Sequence, residues 1–537
     1  KPGHWSPTDS VAWMLMMAYD LGGNWQKELQ RLELSQYLTT KQVWEVLLPS
    51  SKGEPVSNLD FAKMYHDLNV FNTSPKSENP KSKKLPSTEL GINDLPGGKD
   101  GIGSNNWVLS GKLTESGKPL LANDPHLGLS APAIWYFAHL DAPGLNVIGG
   151  TLPGIPAVVL GRSEKFAWSF TNTNPDVQDT YLEQLDPSNP SMYRGPHGML
   201  PFIVHQEIID IKGSTPITFI VKETRHGPVI SDSYARVKRA IDTNRYALAL
   251  RWTALDPENQ SVVGLLEMNR AKDLDSFKAA IHKNYAPMQN VVMADTDGNI
   301  AYQAAGVAPK RTLHQGLYGI APAPGWDPQY DWNGYLPFDQ LPNSSNPEQG
   351  WIATANQAVT ALNNPNPLTA DWDVPTRYDR IVQLINAKST FDLQYMKTMQ
   401  GDTLSLGATP LLELFKSSKT THPLGAKTLD LIQKFDGNMS VDSPGALIFN
   451  AWADHLTRNV FSRLSYLFFD DYGARNFRYP LIAILQNPNN PWCDLPKTPS
   501  VETCAESSNI ALDRALEYLS EQYGKDPASW AWGKAHI

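Results

Sequence analysis

Cysteine is almost missing: Cys493 and Cys504 are the only two in 537 residues, too few and too poorly spaced for a four-ligand structural zinc site. They bracket the polar, proline-containing loop CDLPKTPSVETC, which suits either a disulfide clip in an oxidising compartment or two unrelated thiols. Charge is also sparse, at 19% of residues with a formal net charge of -9. Without a basic excess there is no footprint for nucleic acid or another polyanion, and small molecules are the better-matched partners. No apolar run reaches the roughly 18 to 20 residues that cross a bilayer; the longest, Val11 to Leu21, contains Tyr19 and Asp20. The sequence opens on Lys1 with no signal-like segment, so localisation has to be argued on other grounds. Also missing are GxSxG, HExxH and GxxxxGK[ST], the signatures of common serine hydrolases, zinc proteases and P-loop proteins.

What is present is enough apolar material, 41% of the residues, to bury a large core. SPTDSVAWMLMMAYDLGGNWQKELQRLELSQYL begins with a helix start signal, continues with apolar residues three and four apart, and is interrupted at Gly22 and Gly23; two helices joined at the glycines are expected. From Thr73 the composition shifts to TSPKSENPKSKKLPSTELGINDLPGGKDGIG, an exposed linker of the kind in which chains are cut. A strand-rich run follows Ser104, including NVIGG, PAVVLG, KFAWSFT, EIIDIKG, PITFIVKE and GWIATAN. Helical spacing resumes near Phe391. Strands in one block flanked by helices predict α+β layers over a doubly wound sheet, and no internal repeat is visible.

The stretch GIGSNNWVLSG, Gly101 to Gly111, puts Ser104 at the junction of linker and strand. A nucleophilic serine needs a base, and the chain itself supplies one if the Gly103–Ser104 bond is cut. The α-amino group so formed has a reference pKa of about 7.7 to 8.0, which suits a general base near neutrality. On these residues alone, a serine in a turn before a strand is the better reading.

Resemblance adds to this. The run SNNWVLSGKLTESGKPLLANDPHL, followed in order by GRSEKFAWSFTNTNPDVQD, NVVMADTDGNIAYQAAG and WAWGKAH, resembles the penicillin acylase family of N-terminal-nucleophile hydrolases. The resemblance implies an αββα four-layer sandwich with helical additions. It implies that residues 1–73 are the C-terminal part of a smaller subunit, that 74–103 are a spacer removed on processing, and that 104–537 are a large catalytic subunit incomplete at its C-terminus, the two subunits forming a heterodimer. Ser104 matches the nucleophile, released by a cut between Gly103 and Ser104. The backbone N–H of Asn172 and the side-chain amide of Asn290 match the oxyanion donors. Arg311 matches an arginine that orients the amino group and the asparagine. His126 falls where members carry His or Gln, and the His version goes with acyl-homoserine-lactone and lipopeptide acylases.

The same resemblance implies a calcium site from Asp176, Gln178 through its carbonyl, and Asp179, with Glu28 from the preceding segment; hard oxygen ligands at that spacing suit calcium. An acidic loop that is solvated or paired with arginine is the alternative. The acyl pocket is expected at Met17, Leu21, Leu127, Leu160 and Phe170, an aliphatic set that favours an alkyl chain and discriminates length loosely. The expected activity is hydrolysis of acyl-homoserine lactones or related aliphatic N-acyl amides through an acyl-enzyme, in the periplasm or outside the cell. The alternatives are a penicillin side-chain acylase and an uncut, inactive homologue that binds acylated ligands.

Overall fold

The protein is described from a computed structural model that covers residues 3–47, 57–72, 103–128, 130–312, 316–361, 364, 366–464, 474–496 and 498–535. Residues 74–102 of the expected spacer lie outside the described residues.

Alternation along the first strand, β1 (Gly103–Leu109), sets up the layers. Side chains two apart share a face of a strand, so Trp107 and Leu109 point one way and Ser104, Asn106 and Val108 the other. β1 pairs antiparallel with β2 (Leu120–His126) and with the strand Trp351–Thr354. Trp107 and Leu109, with Ala122 and Ala353, pack on Ile381 and Ile385 of the helix Thr376–Asn386 and on Met396 and Met399 of the helix Leu393–Gln400. Val108, on the opposite face, joins Val292, Ile300, Tyr302 and Ile352 in the core between two sheets.

The second sheet has seven strands. After β3 (Tyr136–Ala142), β4 (Leu145–Thr151), β5 (Leu160–Ser163) and β6 (Phe166–Asn172) come Gln289–Asp295, Ile300–Ala305 and Asn343–Ser345, every neighbouring pair antiparallel. Val292 faces the other sheet, whereas Val291 and Met293 face away, with Phe166 and Trp168, onto Phe277 and Ile281 of the helix Leu274–Ile281. The order is therefore helix, sheet, sheet, helix, and the inner space between the sheets is where Ser104 points.

Before β1, α1 (Pro7–Gly22) stops at Gly23, whose φ of 67° is the left-handed conformation a glycine tolerates at a helix end; α2 (Asn24–Ser35) starts at once. The predicted break at Gly22 and Gly23 is thus observed. α2 lies over β7 (Gln178–Gln184), which pairs with Tyr246–Trp252. Together with α3 (Thr40–Val46) and α4 (Phe61–Asp67), it shares a large core with the later helices Pro444–Val460 and Cys504–Tyr523 through Trp25, Trp44, Phe61, Trp452 and Leu516. Cys493 and Cys504 are disulfide-bonded, which decides for the clip over two separate thiols. Among the described residues, no helix is long and apolar enough to cross a membrane.

Candidate active site

Ser104 is 8% exposed and sits at the start of β1, opposite Pro125 of β2. Its backbone N–H donates to Asn356 Oδ1 at 2.9 Å. The same oxygen accepts from Arg377 Nη2 at 2.8 Å, while Arg377 Nη1 donates to the Ser104 carbonyl and to Asn105 Oδ1, both at 2.7 Å. Asp373 holds the guanidinium from behind, at 3.0 Å. Asn356 has a φ of 68°, a left-handed position that asparagine tolerates better than most residues, and its Nδ2 donates to the Asn172 carbonyl at 2.7 Å. One asparagine thereby ties the nitrogen of Ser104 to the end of β6.

Asn290 is fully buried on the strand next to β6, where it pairs with Thr171. The Tyr302 hydroxyl donates to Asn290 Oδ1 at 2.7 Å, which fixes the orientation of the amide. Asn290 Nδ2 is left facing Thr171 Oγ1, at 3.2 Å, and the Asn172 carbonyl, at 3.5 Å. Those are long bonds for a buried amide, so a stronger acceptor such as an oxyanion would compete for the same hydrogens. Asn106, two residues after Ser104, donates to the Asn290 carbonyl at 3.5 Å; β1 and the Asn290 strand therefore meet at this point. Asn172 turns its side-chain amide to the Leu21 carbonyl and Asn174 Oδ1, both at 2.7 Å. His126 pairs across the strands with Gly103, and its Nε2 lies 3.1 Å from Asp124 Oδ1. Burial pushes the Asp124 carboxyl up, but His126, Asn105 and Arg377 together hold it below its ordinary range.

Arg311 does not join this group. It is buried against β7, with Nε 3.1 Å from Asp179 Oδ2 and Nη2 contacting Asp179 Oδ1 and, at 3.2 Å, Asp176 Oδ1. The reason is topological: the short strand Pro309–Arg311 runs beside the acidic residues, and two buried carboxylates outcompete a neutral amide for a guanidinium. A different arginine, Arg377, reaches Ser104, through its carbonyl and through Asn356. Nothing in DVPTRYDR marks it, because the contact depends on a helix 273 residues further along the chain being folded back onto β1. Asn356 likewise shows in the sequence only as the end of the stretch GWIATAN.

Glu28, Asp176 and Asp179 do converge. Their ligand atoms lie within 4.8 Å of one another, all buried. Burial, followed by the charges of Asp179 and Asp176, pushes the Glu28 carboxyl well above its usual range. Asp176 is also raised by burial, against the pull of Arg311. Glu28 Oε2 accepts from Thr180 N and Oγ1, but Glu28 Oε1 and the Gln178 side-chain amide have no hydrogen-bond partner among the described residues. The Gln178 carbonyl already accepts from Asn24 Nδ2 at 2.5 Å. Gly319, at φ 76°, closes over the cluster, where any Cβ would collide with the Asp176 carboxylate and the Arg311 guanidinium. Three carboxyl groups against one guanidinium leave a charge deficit that a divalent cation would fill, and an orphaned carboxylate oxygen suits a hard cation. The residues fit calcium on those grounds.

Of the expected acyl-pocket residues, Met17 and Leu127 share one cluster with Leu152, Ile155, Trp13 and Trp135. Leu160 and Trp135 both flank Gly150, 3.3 Å from where its Cβ would be. Leu21 reaches the end of β6 through its carbonyl. Phe170 packs toward the outer helices with Val147 and Phe277. The wall is therefore less aliphatic than expected: helical spacing places Trp13 on the same side of α1 as Met17, and Trp135 enters from the segment before β3.

A penicillin amidase family model matches residues 1–537. The chain belongs to the penicillin amidase family. It is 29% identical to an acyl-homoserine lactone acylase, QuiP, of Pseudomonas aeruginosa over 100% of this chain and 65% of that protein. It is 26% identical to a penicillin G acylase of Escherichia coli over 81% of this chain and 54% of that one. The chain thus spans less than two-thirds of the length of each of these two proteins. In solved structures the same fold occurs in a thermostable penicillin G acylase from Alcaligenes faecalis, with TM-score 0.65 and 23% identity, covering 79% of this chain and 80% of that one. The likeness supports the N-terminal-nucleophile hydrolase architecture that the four layers display.

Proposed function

We propose that this protein is a self-processing amidohydrolase that uses Ser104 as an N-terminal nucleophile and removes aliphatic acyl groups from small N-acyl amides, acyl-homoserine lactones foremost. The observation that carries the reading is the position of Ser104 itself: it follows a glycine, points into the space between the sheets, and has its nitrogen held by Asn356, whose amide meets the Asn290 amide at the Asn172 carbonyl.

In the first stage Ser104 Oγ attacks the Gly103 carbonyl carbon, the C–N bond breaks and the proton passes to the departing nitrogen. Water then hydrolyses the ester, leaving a Gly103 carboxylate and a free α-amine on Ser104. Hydrolysis of a second peptide bond, between Thr73 and Ser74, releases residues 74–103 as the spacer, and the two remaining chains form a heterodimer. In the second stage that amine takes the proton from Ser104 Oγ as it attacks the substrate carbonyl. The Asn290 amide and the Asn172 N–H accept the charge on the carbonyl oxygen, each donor worth a few kcal/mol. The amine product leaves with the proton; water cleaves the acyl-enzyme, releasing the fatty acid and restoring the Ser104 hydroxyl. His126, at the β1–β2 edge, positions the nucleophile end of β1 through its pair with Asp124.

The cluster at Met17 and Leu127 supports the alkyl preference, as do relatives named acyl-homoserine lactone acylases. Trp13 and Trp135 favour the second reading, an aromatic acyl group as in penicillin side chains, which relatives named penicillin acylases also support. Release of free amine from acyl-homoserine lactones of graded chain length, measured beside penicillin G, separates the two. The expected result is a broad optimum among alkyl chains, with about 10- to 200-fold changes in kcat/KM per methylene at its edges. Faster release from the phenylacetyl compound than from every alkyl one would reverse the order.

Glu28, Asp176, Asp179 and an oxygen of Gln178 would hold calcium, whose two charges would pin α2 to β7 and so steady the end of β6 that carries Asn172. A melt of the full-length protein should then show Tm rising by several degrees from EDTA to millimolar calcium. An identical Tm under both conditions would mean that Arg311 and retained protons already balance the cluster. A periplasmic or secreted location is part of the proposal, supported by the Cys493–Cys504 disulfide.

A further inference from the structure

We propose that Arg377 is a positioning residue that keeps the newly made Ser104 amine in its unprotonated, basic form; this rests on the function proposed above. Two observations place it there. Arg377 Nη2 stands beside the Gly103–Ser104 bond, 3.0 Å from where a Cβ on Gly103 would be. The same Nη2 and the Ser104 nitrogen share one acceptor, Asn356 Oδ1, at 2.8 and 2.9 Å.

The consequence is electrostatic. Once the bond to Gly103 is cut, the Ser104 nitrogen becomes an amine that titrates beside a fixed positive charge. A like charge at this range disfavours the ammonium form and lowers the pKa of the amine, typically by one unit or more in a partly buried site. Asn356 also orients the amine: its oxygen accepts one N–H, leaving the lone pair free for the Ser104 hydroxyl. Asp373 opposes the effect, because its carboxylate is paired with Arg377 and partly cancels the field.

Among the described residues, the other groups near this point are on β2 and two later helices. On β2, Asp124 lies opposite Asn105 and His126 opposite Gly103, paired with each other. On the helix Thr376–Asn386, Asp379 lies six residues beyond Asp373 and is raised by burial. Tyr479 approaches Asp373 and Asp379 from the helix Ala474–Leu485, and Tyr302 reaches only Asn290. Of these, only Arg377 shares a hydrogen-bond acceptor with the Ser104 nitrogen.

The test is the acid limb of kcat/KM against pH, which reports the base of the free enzyme, read on full-length protein together with the cleaved fraction by intact mass. Removing the charge in Arg377→Met should move the limb up by about one pH unit. Arg377→Lys keeps the charge and should hold the limb within about 0.3 unit while losing kcat, because lysine lacks the planar fork that reaches two acceptors. Asp373→Asn removes the carboxylate that partly cancels the guanidinium's field and should move the limb down. These opposite directions separate the role from simple damage to the fold. If Arg377→Met yields no cleaved protein, Asp373→Asn decides: a downward shift upholds the proposal, and a fixed or upward limb overturns it. A wild-type protein that remains uncut and inert refutes the proposed function; a cut, active wild type whose variants all keep the same limb refutes only the role of Arg377.

Discussion

Ser104→Ala is expected to leave a single uncut chain and to abolish amide hydrolysis, a loss of at least about 10⁴-fold in kcat. The expectation is this large because one residue is asked to supply two functions. Without Oγ there is no attack on the Gly103 carbonyl, so the amine that would act as base is never made; without either, the remaining oxyanion donors have no nucleophile to assist. The fold gives alanine no reason to fail. Ser104 is small, already lies in extended β1, and holds its place by backbone bonds to Asn356 and Arg377 that alanine keeps. Intact mass, a thermal melt and an amine-release assay on one preparation check all three parts. An uncut Ser104→Ala protein that still turned over substrate would break the link between processing and activity.

Asn290→Ala should lower kcat by about 10²- to 10³-fold with little change in KM, the signature of a donor that acts mainly on the charged intermediate. It should also cost stability, on the order of 1–3 kcal/mol, because the buried Tyr302 hydroxyl loses its acceptor. The double variant Asn290→Ala/Tyr302→Phe separates the two effects: it removes the acceptor and the hydroxyl that needs it together, and should cost less stability through that hydrogen bond than Asn290→Ala alone. Steady-state kinetics and denaturant melts on the two variants check this. A fall in affinity with kcat unchanged would assign Asn290 to ground-state binding and remove it from the oxyanion site.

How far the sequence could be read follows the range of the interactions. The α1–α2 break at Gly22 and Gly23 was legible because a left-handed helix end is a local demand on a local residue. The strand from Gly103 was legible from the abrupt change of composition at the linker, and its layering from alternation, Trp107 and Leu109 against Val108. The acidic cluster was half legible: Asp176, Gln178 and Asp179 are close in sequence, and Glu28 joins them across the α2–β7 contact. The two arginines were not. Motif order carried Arg311 to the amino group, yet buried carboxylates hold it 3.1 Å from Asp179. Arg377 carries no motif; its importance comes from a helix that covers β1 and from an asparagine, Asn356, that bridges them. Likewise Trp13 looked like one more apolar position of a helix until α1 was placed beside Ile155 and Trp135.

The measurement that bears most directly on the account is the N-terminal sequence of the catalytically active species purified from cells expressing the full-length protein. The account predicts that activity co-purifies with a large chain beginning Ser-Asn-Asn-Trp, at Ser104, paired with a smaller chain from the preceding segment, and that uncut protein is inert. Full activity in a single chain still continuous through Gly103 and Ser104 would contradict it.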